Sequence, residues 1–490
     1  MKWLCFLIFL APTTLLSQKM YDAQWVLWGF SKLDFRYDTL TISSTPPNPF
    51  IGIGTYTNTM CDKHGNILFQ TGGCAIYNKL YKVMINGDGI NSDFTYLSWC
   101  GVTGDFPIKQ STLPLAIPED SLRYLVFSYD YDDPFGFGGP LPVPLHLYYH
   151  VIDMSLDNGL GAVTIKKQIA VQDTFSRGYL QAVRHANGLD WWVVAPKWNS
   201  NCYFIVPVTD TGVGMFHTDC LGQIWDDDDL GGQTDFSPDG TKYARVEGHN
   251  GLFVFDFDSE SGHLSNPIKL EYPQQEDFTR GVCFSSNSRY LFVSARLQLF
   301  QYDLWASNIQ ASMQLVGEID LTIIQPGQST LGLCKLGPDG RIYIASQGNH
   351  KFLSLVNKPN CPGLACDFRQ HAIELPETNH SGIPNLPHFD IISTSYDCEM
   401  ISTKEPEVSL NQILNTTPNP AFEEITISIQ TPVQGKWNLL DVSGRNIKSG
   451  EWKDTSMRIN VENLTPGLYF FKIHTTIGQF FVCKVFVQSR

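Results

Sequence analysis

Residues 337–346 read GPDGRIYIAS, a polar Pro-Asp-Gly turn followed by a short run rich in apolar and aromatic residues. The same pattern returns as SPDGTKYA at residues 237–244 and as SNSRYLFVS at residues 286–294. Gly, and often Asp or Asn, tolerates the positive φ angle that a tight hairpin turn requires. The run after each turn is too apolar to face water on both sides. Each copy therefore predicts a hairpin inside a buried sheet.

Looser copies of this pattern lie at residues 62–69, 120–128 and 185–194. The three clear copies, at residues 237–244, 286–294 and 337–346, are spaced by roughly 50 residues, which is typical of four-stranded propeller blades. We therefore expect an all-β chain, a β-propeller with seven blades favoured over six, followed by a small C-terminal β-sandwich. An array of sandwiches is the alternative for the body. Because a propeller must close its ring to protect its edge strands, segments 24–35 and 384–392 are expected to pair.

The composition is that of an ordered, strand-rich protein. Of the 490 residues 43% are hydrophobic and 13% aromatic, with 40 Gly and 28 Pro, which favours strands and turns. The formal net charge is −15. Nucleic-acid phosphates demand a basic face, so this acidity argues against nucleic acid as a partner.

The N-terminus has the features of a signal peptide, predicted here as residues 1–18. Lys2 supplies a positive start, and an apolar run extends from Trp3 to Leu16. A membrane-spanning helix needs roughly 20 apolar residues, which is more than this run offers. We predict that the segment is cleaved and that the mature chain has no transmembrane segment.

The tail of the chain carries four short motifs in order. They are PNPA at residues 418–421, LDVSGR at 440–445, LTPGLY at 464–469 and KVFV at 484–487. Together they resemble the type A C-terminal sorting domain of the type IX secretion system of Bacteroidota. The resemblance implies recognition by the outer-membrane secretion machinery and a final location outside the cell or on its surface. It assigns the sorting signal to Pro418, Asn419, Pro420, Asp441, Gly444, Arg445, Gly467, Tyr469 and Lys484.

The body resembles exported Bacteroidota proteins whose bodies are propeller-like, of the WD40 or YVTN type. The matching stretches are residues 145–160, 183–188, 197–201, 255–258, 301–304, 357–361 and 382–387. Two departures leave local geometry open: Arg245 replaces a small residue, and Ser286-Asn287-Ser288 replaces a Pro-Asp-Gly turn. The expected organisation is a signal peptide (1–18), a propeller body (19–396), a linker (397–412) and a sorting domain (413–490).

The cysteines are expected to form some disulfides, because an exported chain reaches an oxidising compartment. Cys361 and Cys366 lie in the motif CPGLAC and are the predicted loop-closing pair. Two further candidate pairs are Cys202 with Cys220 and Cys61 with Cys74. The spacing lacks the Cys-x-x-Cys rhythm of a zinc site.

The run Asp226-Asp227-Asp228-Asp229 is the sharpest charge cluster of the chain. A hard cation such as Ca²⁺ would relieve the repulsion among four adjacent carboxylates. Consecutive residues of an extended loop point in alternating directions, so at most two could serve one ion. A solvated acidic loop is the alternative, and no other cofactor is indicated.

An aromatic and acidic insertion at residues 129–140 is a candidate ligand surface. Aromatic rings stack on the C–H faces of sugars, and neighbouring carboxylates bond to their hydroxyls. The residues proposed for this surface are Tyr129, Tyr131, Asp132, Phe135 and Phe137. A loop packed over its own blade is the alternative.

No catalytic motif is visible. His380-Ser381 lacks a Gly-x-Ser-x-Gly elbow, and the chain has no phosphate loop and no dinucleotide fingerprint. We therefore expect a secreted or surface protein that binds a glycan or an envelope protein. The alternatives are an extracellular hydrolase or lyase acting on polysaccharide or peptide, and a structural component of the surface or motility apparatus.

Overall fold

The fold is taken from a computed structural model, which describes residues 20–37, 39–45, 56–91, 100, 108–130, 143–225, 232–248, 250–273, 280–320, 330–390, 398, 414–429, 432–441, 445–475 and 480–488. The chain divides into two compact units, Met1–Cys398 and Glu399–Arg490, called here the body and the tail. The predicted signal peptide lies outside the described residues. Short 3-10 turns lie in the described body at Trp28–Phe30, Asp157–Gly159, Gln310–Ser312 and Gly363–Cys366.

The described residues of the body form seven antiparallel sheets, which follow one another in chain order. The first sheet comprises β1 (Gln24–Val26), β2 (Ser31–Asp34) and β3 (Thr41–Ser44). The second comprises β4 (Asn58–Cys61), β5 (Ile67–Thr71) and β6 (Ile76–Asn78). The third comprises β7 (Thr112–Ala116), β8 (Arg123–Tyr129), β9 (His146–Asp153) and β10 (Ala162–Gln172). The fourth comprises β11 (Gln181–Arg184), β12 (Trp191–Pro196), β13 (Cys202–Thr209), β14 (Gly212–Val213) and β15 (His217–Cys220).

The last three sheets of the body have four strands each, paired in sequence order. The fifth comprises β16 (Gln233–Phe236), β17 (Lys242–Glu247), β18 (Gly251–Asp258) and β19 (His263–Leu270). The sixth comprises β20 (Arg280–Phe284), β21 (Tyr290–Ala295), β22 (Gln298–Asp303) and β23 (Gln314–Glu318). The seventh comprises β24 (Leu331–Leu336), β25 (Ile342–Ser346), β26 (Asn349–Val356) and β27 (Phe368–His380). Seven consecutive sheets of this kind confirm the predicted propeller and the preference for seven blades.

The repeated turn motif forms the hairpins that the sequence predicts. Gly240 and Gly340 have φ angles of +72° and +76°, and the Asp239 carboxylate accepts a hydrogen bond from the Thr241 amide at 3.0 Å. The departure at residues 286–288 keeps the same turn, because Ser288 takes the left-handed conformation with φ +60°. These turns and their looser copies all follow an inner strand, so they share one side of the body, called here the turn face.

The ring closes where the first sheet packs against the seventh. The Ser31 hydroxyl donates to the Glu377 carbonyl at 3.2 Å and accepts from the Glu377 amide at 3.1 Å. The ring of Tyr343 lies 5.4 Å from that of Trp25, nearly perpendicular to it. The predicted pairing of segment 24–35 with segment 384–392 is wrong among the described residues, since residues 24–34 form their own sheet and residues 384–390 form no strand.

Three disulfides are present among the described residues. They join Cys74 to Cys100, Cys202 to Cys220 and Cys361 to Cys398. The Cys202–Cys220 candidate is therefore confirmed.

The two other candidate pairs, Cys361–Cys366 and Cys61–Cys74, are wrong, and Cys61 and Cys366 are buried free thiols. Cys366 ends the Gly363–Cys366 turn and is buried in an apolar cluster shared by the sixth and seventh sheets. Its side chain therefore packs in the core, and Cys361 pairs with Cys398 instead.

The tail is a two-sheet sandwich. One sheet has the order β28 (Asn415–Thr417), β29 (Glu424–Ser428) and β32 (Ser456–Asn460), and the other has the order β31 (Asn446–Trp452), β30 (Gly435–Asp441), β33 (Gly467–Thr475) and β34 (Phe480–Val487). The apolar residues that alternate along β29 and beyond it, Ile425, Ile427 and Ile429, are all buried. They pack against Trp437, Phe471 and Val485 of the other sheet.

Candidate functional site

The centre of the ring is occupied by the chain's own residues 381–390, called here the axial segment. Asn385 is its main anchor: the side-chain amide nitrogen donates to the carbonyls of Thr112 and Leu180, each at 2.9 Å. Its side-chain oxygen accepts from the Gln110 side-chain nitrogen at 3.0 Å, and its backbone N–H donates to the Asn58 side-chain oxygen at 2.6 Å. Through its side chain and its backbone N–H, this one residue links the axial segment to the inner strands of the second and third sheets and to the approach to the fourth.

The rest of the axial segment reaches the fifth and seventh sheets. The Lys335 ammonium group, on β24, donates to the Leu386 carbonyl. His388 donates from Nε2 to the Phe236 carbonyl at 2.9 Å and lies 3.3 Å from an Asp235 carboxylate oxygen. These contacts span five of the seven sheets, so the axial segment fills the channel in which propeller enzymes commonly gather catalytic side chains.

Apolar contacts complete this filling. Ile383 and Leu386 are buried, and the ring of Phe389 lies 5.3 Å from Tyr21 and 5.4 Å from Trp191. Aromatic pairs at these separations add to the energy of area burial. The axial segment is therefore part of the core of the body.

Glutamine side chains connect the inner strands of neighbouring sheets by hydrogen bonds around the axis. Gln110 donates to the Thr234 carbonyl and accepts from the Thr234 amide, both at 2.8 Å. Gln233 accepts from the amides of Val282 and Cys334 at 3.1 and 2.9 Å. Because buried polar groups are costly unless hydrogen-bonded, these pairings explain why polar residues occupy the inner strands.

The departure at Arg245 is compensated by a buried ion pair. Arg245 donates from Nε to Glu247 at 3.0 Å, and its guanidinium lies over the rings of Trp225 and Tyr179 at 4.1 and 4.4 Å. Asn250 donates to the other Glu247 oxygen at 2.7 Å. The side chains of the pair are 1% and 0% exposed, so this cluster is part of the core and does not face a ligand.

The turn face carries an open cleft of about 470 Å³ between the first and seventh sheets. Tyr37 stands at this cleft with 63% of its surface exposed, and the Arg36 guanidinium lies 5.6 Å from the ring centre. Asp339 forms an ion pair with Arg341 beside it. The cleft is lined by Phe35, Tyr37, Thr39, Leu40, Ile42, Asp339, Arg341, Asn357, Lys358 and Ile373.

A smaller cleft of about 190 Å³ lies near the axis on the same face. Arg184 lines it, with its guanidinium 3.7 Å from the centre of the Trp191 ring. Burial lowers the pKa of Arg184 to about 10 and raises the pKa of Tyr21, which also lines the cleft. Arg184 also donates to the Leu189 carbonyl at 2.7 Å, which fixes the guanidinium as part of the wall.

Most sequence-predicted ligand residues fall elsewhere or outside the described residues. Tyr129 is 1% exposed and packs on Phe175, so its assignment to a ligand surface is wrong. The other residues proposed for that surface, Tyr131, Asp132, Phe135 and Phe137, lie outside the described residues, as do Asp226, Asp227, Asp228 and Asp229.

The sequence reasoning missed both the axial segment and the Tyr37 cleft. A proline-flanked Asn385 between apolar residues, in GIPNLP at 382–387, was the available signal for the first. No local pattern marks the second, since its walls come from opposite ends of the body.

The sorting motifs of the tail have defined structural places. The Asn419 side chain donates to the Lys484 carbonyl at 2.9 Å and accepts from the Phe486 amide at 2.7 Å, which fastens the PNPA loop to β34. The Tyr469 hydroxyl donates to the Thr465 carbonyl at 2.8 Å and so braces the turn before β33.

The other described motif residues also lie in the sandwich. Arg445 donates from its backbone amide and from Nε to the Asp441 carboxylate, at 3.1 and 3.2 Å, across the turn between β30 and β31. Pro418 and Pro420 flank Asn419, Gly467 begins β33, and Lys484 is an exposed residue of β34. Gly444 lies outside the described residues.

The solved structures found to be similar share little sequence with the chain. A putative 6-phosphogluconolactonase from Bacteroides uniformis is 13% identical, with 71% of this chain and 93% of that chain covered and a TM-score of 0.40. The periplasmic gluconolactonase of Pseudomonas aeruginosa is 12% identical, with coverages of 72% and 88% and a TM-score of 0.33. PorZ, a surface component of the type IX secretion system of Porphyromonas gingivalis, is 10% identical, with coverages of 94% and 62% and a TM-score of 0.27. These low scores carry no argument about activity.

No curated protein sequence matches the chain. Among the described residues, no helix combines the length and the apolar character needed to cross a membrane. Residues 416–488 match the family described as the secretion system C-terminal sorting domain. The tail is therefore a sorting domain of the type IX secretion system, and the chain is a secreted, cell-surface-attached protein with a propeller-like body.

Proposed function

We propose that the body is a non-catalytic binding module that holds a glycan in the Tyr37 cleft of its turn face. The observation that supports this most directly is the axial segment, which fills the centre of the ring with hydrogen-bonded and buried residues. A hydrolase or lyase built on this body would have to place its catalytic groups elsewhere. Binding at the turn face needs no such rearrangement.

The Tyr37 cleft has the chemistry of a sugar site. A volume of about 470 Å³ lies within the range of small-ligand pockets, which is roughly 300–1,000 Å³. Tyr37 offers an exposed ring on which the apolar face of a sugar stacks. Asp339, Arg341 and Asn357 line the same cleft and present groups that hydrogen-bond to hydroxyls.

The test is retention of the purified full chain on immobilised polysaccharides and on immobilised envelope proteins, with release of shortened sugars and peptides followed in the same samples. Tyr37→Ala removes the stacking ring and is expected to weaken retention at least about tenfold, since aromatic contacts dominate such sites. Trp305→Ala is the matched control, because Trp305 is 69% exposed and lies outside the cleft.

Three results would contradict the proposal. Release of shortened sugars or peptides would favour the enzyme. Retention on envelope proteins but on no polysaccharide would favour the structural role. Equal losses in the two variants would move the binding site away from the Tyr37 cleft.

A further inference from the structure

Three potential metal ligands meet where the outer strands of the fourth and fifth sheets come together. His217 and Asp219 lie two residues apart on β15 and so share a face of that strand, while His263 begins β19. Their ligand atoms all lie within 4.8 Å of one another. The ring centres of the two histidines are 4.5 Å apart. None of these residues belongs to the Tyr37 cleft or to the axial segment.

Hydrogen bonds orient two of the three ligands. His217 lies with Nε2 3.1 Å from the Gly262 carbonyl, which can only accept, so Nε2 carries the proton and Nδ1 keeps its lone pair. One Asp219 oxygen accepts from the Leu264 amide at 2.8 Å, which leaves the other oxygen turned to His263. A metal-binding histidine commonly donates its second N–H to a carbonyl in this way.

The carbonyl that orients His217 is itself held firmly. Gly262 has a φ angle of +77°, and a Cβ atom at this position would come within 2.9 Å of the Trp192 ring. The Gly262 amide also donates to the Asp258 carbonyl at 2.7 Å. Only glycine fits this turn, so the position of the carbonyl is fixed by the packing of the fourth sheet against the fifth.

His263 is the third residue of the group, and its exposed side chain can change its orientation to bind a metal ion. Its Nδ1 lies 3.0 Å from the nearer Asp219 oxygen, and its side chain is 57% exposed. Because the ring is accessible to water, its proton can be carried on Nε2 while Nδ1 binds a metal. Ligand atoms around a four-coordinate ion lie about 3.3 Å apart for bonds of about 2.0–2.1 Å. The ligand atoms of the three residues already lie within 4.8 Å of one another, so only small side-chain rotations are needed to reach that spacing.

We propose that His217, Asp219 and His263 bind one divalent transition-metal ion, with Zn²⁺ as the ion to test. Two imidazoles and one carboxylate suit Zn²⁺, Cu²⁺ or Ni²⁺, whereas Ca²⁺ and Mg²⁺ take oxygen ligands. A bound ion would join β15 to β19 beside the Cys202–Cys220 disulfide. With three protein ligands it would keep a coordination position open to water or to a partner's side chain.

The experiment uses the purified full chain, stripped with a chelator and dialysed, with Zn²⁺ binding followed by competition with a chromophoric chelator. We expect one tight site per chain, weakened at least about tenfold in His217→Ala and in His263→Ala. His64→Ala, at an exposed histidine in the turn between β4 and β5, is the matched control and should bind as the unaltered chain does. Excess Ca²⁺ should not compete.

A spectroscopic measurement separates loss of a ligand from loss of fold. Bound Cu²⁺ should show electron paramagnetic resonance couplings to two imidazole nitrogens in the unaltered chain and to one in His263→Ala. Equal Zn²⁺ affinity in His263→Ala and the unaltered chain would overturn the proposal. So would an equal loss of affinity in His64→Ala, or a Cu²⁺ spectrum that is unchanged by His263→Ala.

Discussion

Replacing Asn385 by alanine is expected to destabilise the body strongly, because this side chain holds the axial segment in the ring. The substitution removes two bonds donated to the Thr112 and Leu180 carbonyls and one accepted from Gln110, at 2.9, 2.9 and 3.0 Å. A fourth contact, from Gln181, is longer at 3.4 Å. The bond from the Asn385 backbone amide to Asn58 is unaffected.

The magnitude follows from the bonds that are lost. Each buried hydrogen bond contributes about 1 kcal/mol, and a buried carbonyl left unsatisfied costs about 1–3 kcal/mol. The Thr112 carbonyl keeps a bond from the Asn58 side chain at 3.0 Å, so the penalty falls mainly on Leu180. The expected loss in free energy of unfolding is therefore about 4 kcal/mol.

The assay is urea unfolding of the full chain, with the body followed by near-ultraviolet circular dichroism. Asn308→Ala is the control, because Asn308 is exposed and accepts one bond, from the Ala311 amide at 3.0 Å. Its expected cost is below about 1 kcal/mol. A loss for Asn385→Ala no larger than that of the control would refute the view that the axial segment is part of the core.

Two further predictions concern the Cys361–Cys398 disulfide and the buried carboxyl group of Asp22. Replacing both Cys361 and Cys398 by serine should lower the free energy of unfolding by about 4 kcal/mol, since the disulfide joins residues 37 positions apart; unchanged urea midpoints would contradict this. Burial raises the pKa of Asp22 from its ordinary value of 3.8 to about 7, more than the nearby Lys335 lowers it. The folded-state pKa lies above the unfolded one, so this group costs stability as pH rises from about 4 through 7. Asp22→Asn should thus gain up to about 4 kcal/mol at pH 8 and less than about 1 kcal/mol at pH 4, and equal effects at both pH values would argue against it.

The architecture was predictable wherever it depends on local turn chemistry. The Pro-Asp-Gly turns at 237–241 and 337–341 predict hairpins, because only a few residue types tolerate the left-handed conformation that Gly240 and Gly340 adopt. The alternation of Ile425, Ile427 and Ile429 likewise predicts a half-buried strand, and each of these residues is buried. Local patterns of this kind fix strands and turns without knowledge of distant contacts.

Features that depend on distant contacts could not be read from the sequence. The bonds of Asn385 reach residues more than 200 positions away, and the partner of Cys361 lies 37 positions away where a five-residue spacing had suggested Cys366. Tyr129 is the opposite case. Its position beside acidic residues indicated a ligand surface, but Tyr129 is the last residue of β8 and its side chain is buried in the core.

The role of the axial segment narrows the chemistry open to the body. The polar atoms of the axial segment form hydrogen bonds with the inner strands of the sheets, as between Leu386 and Lys335 and between His388 and Phe236. The exposed aromatic surface instead lies at the periphery, at Tyr37 and Trp305. This distribution is the reason why we propose a ligand site at the turn face and not at the centre of the ring.

The most direct test of the account is the location of the protein in a cell that has a type IX secretion system. The full chain is compared with a chain ending at residue 413 and with Asn419→Ala, which loses the two bonds to β34, and surface exposure is measured by labelling intact cells. The account predicts labelling of the full chain, periplasmic retention of the shortened chain and reduced labelling of Asn419→Ala. Equal surface labelling of the full and shortened chains would contradict the central claim that the tail directs this propeller to the cell surface.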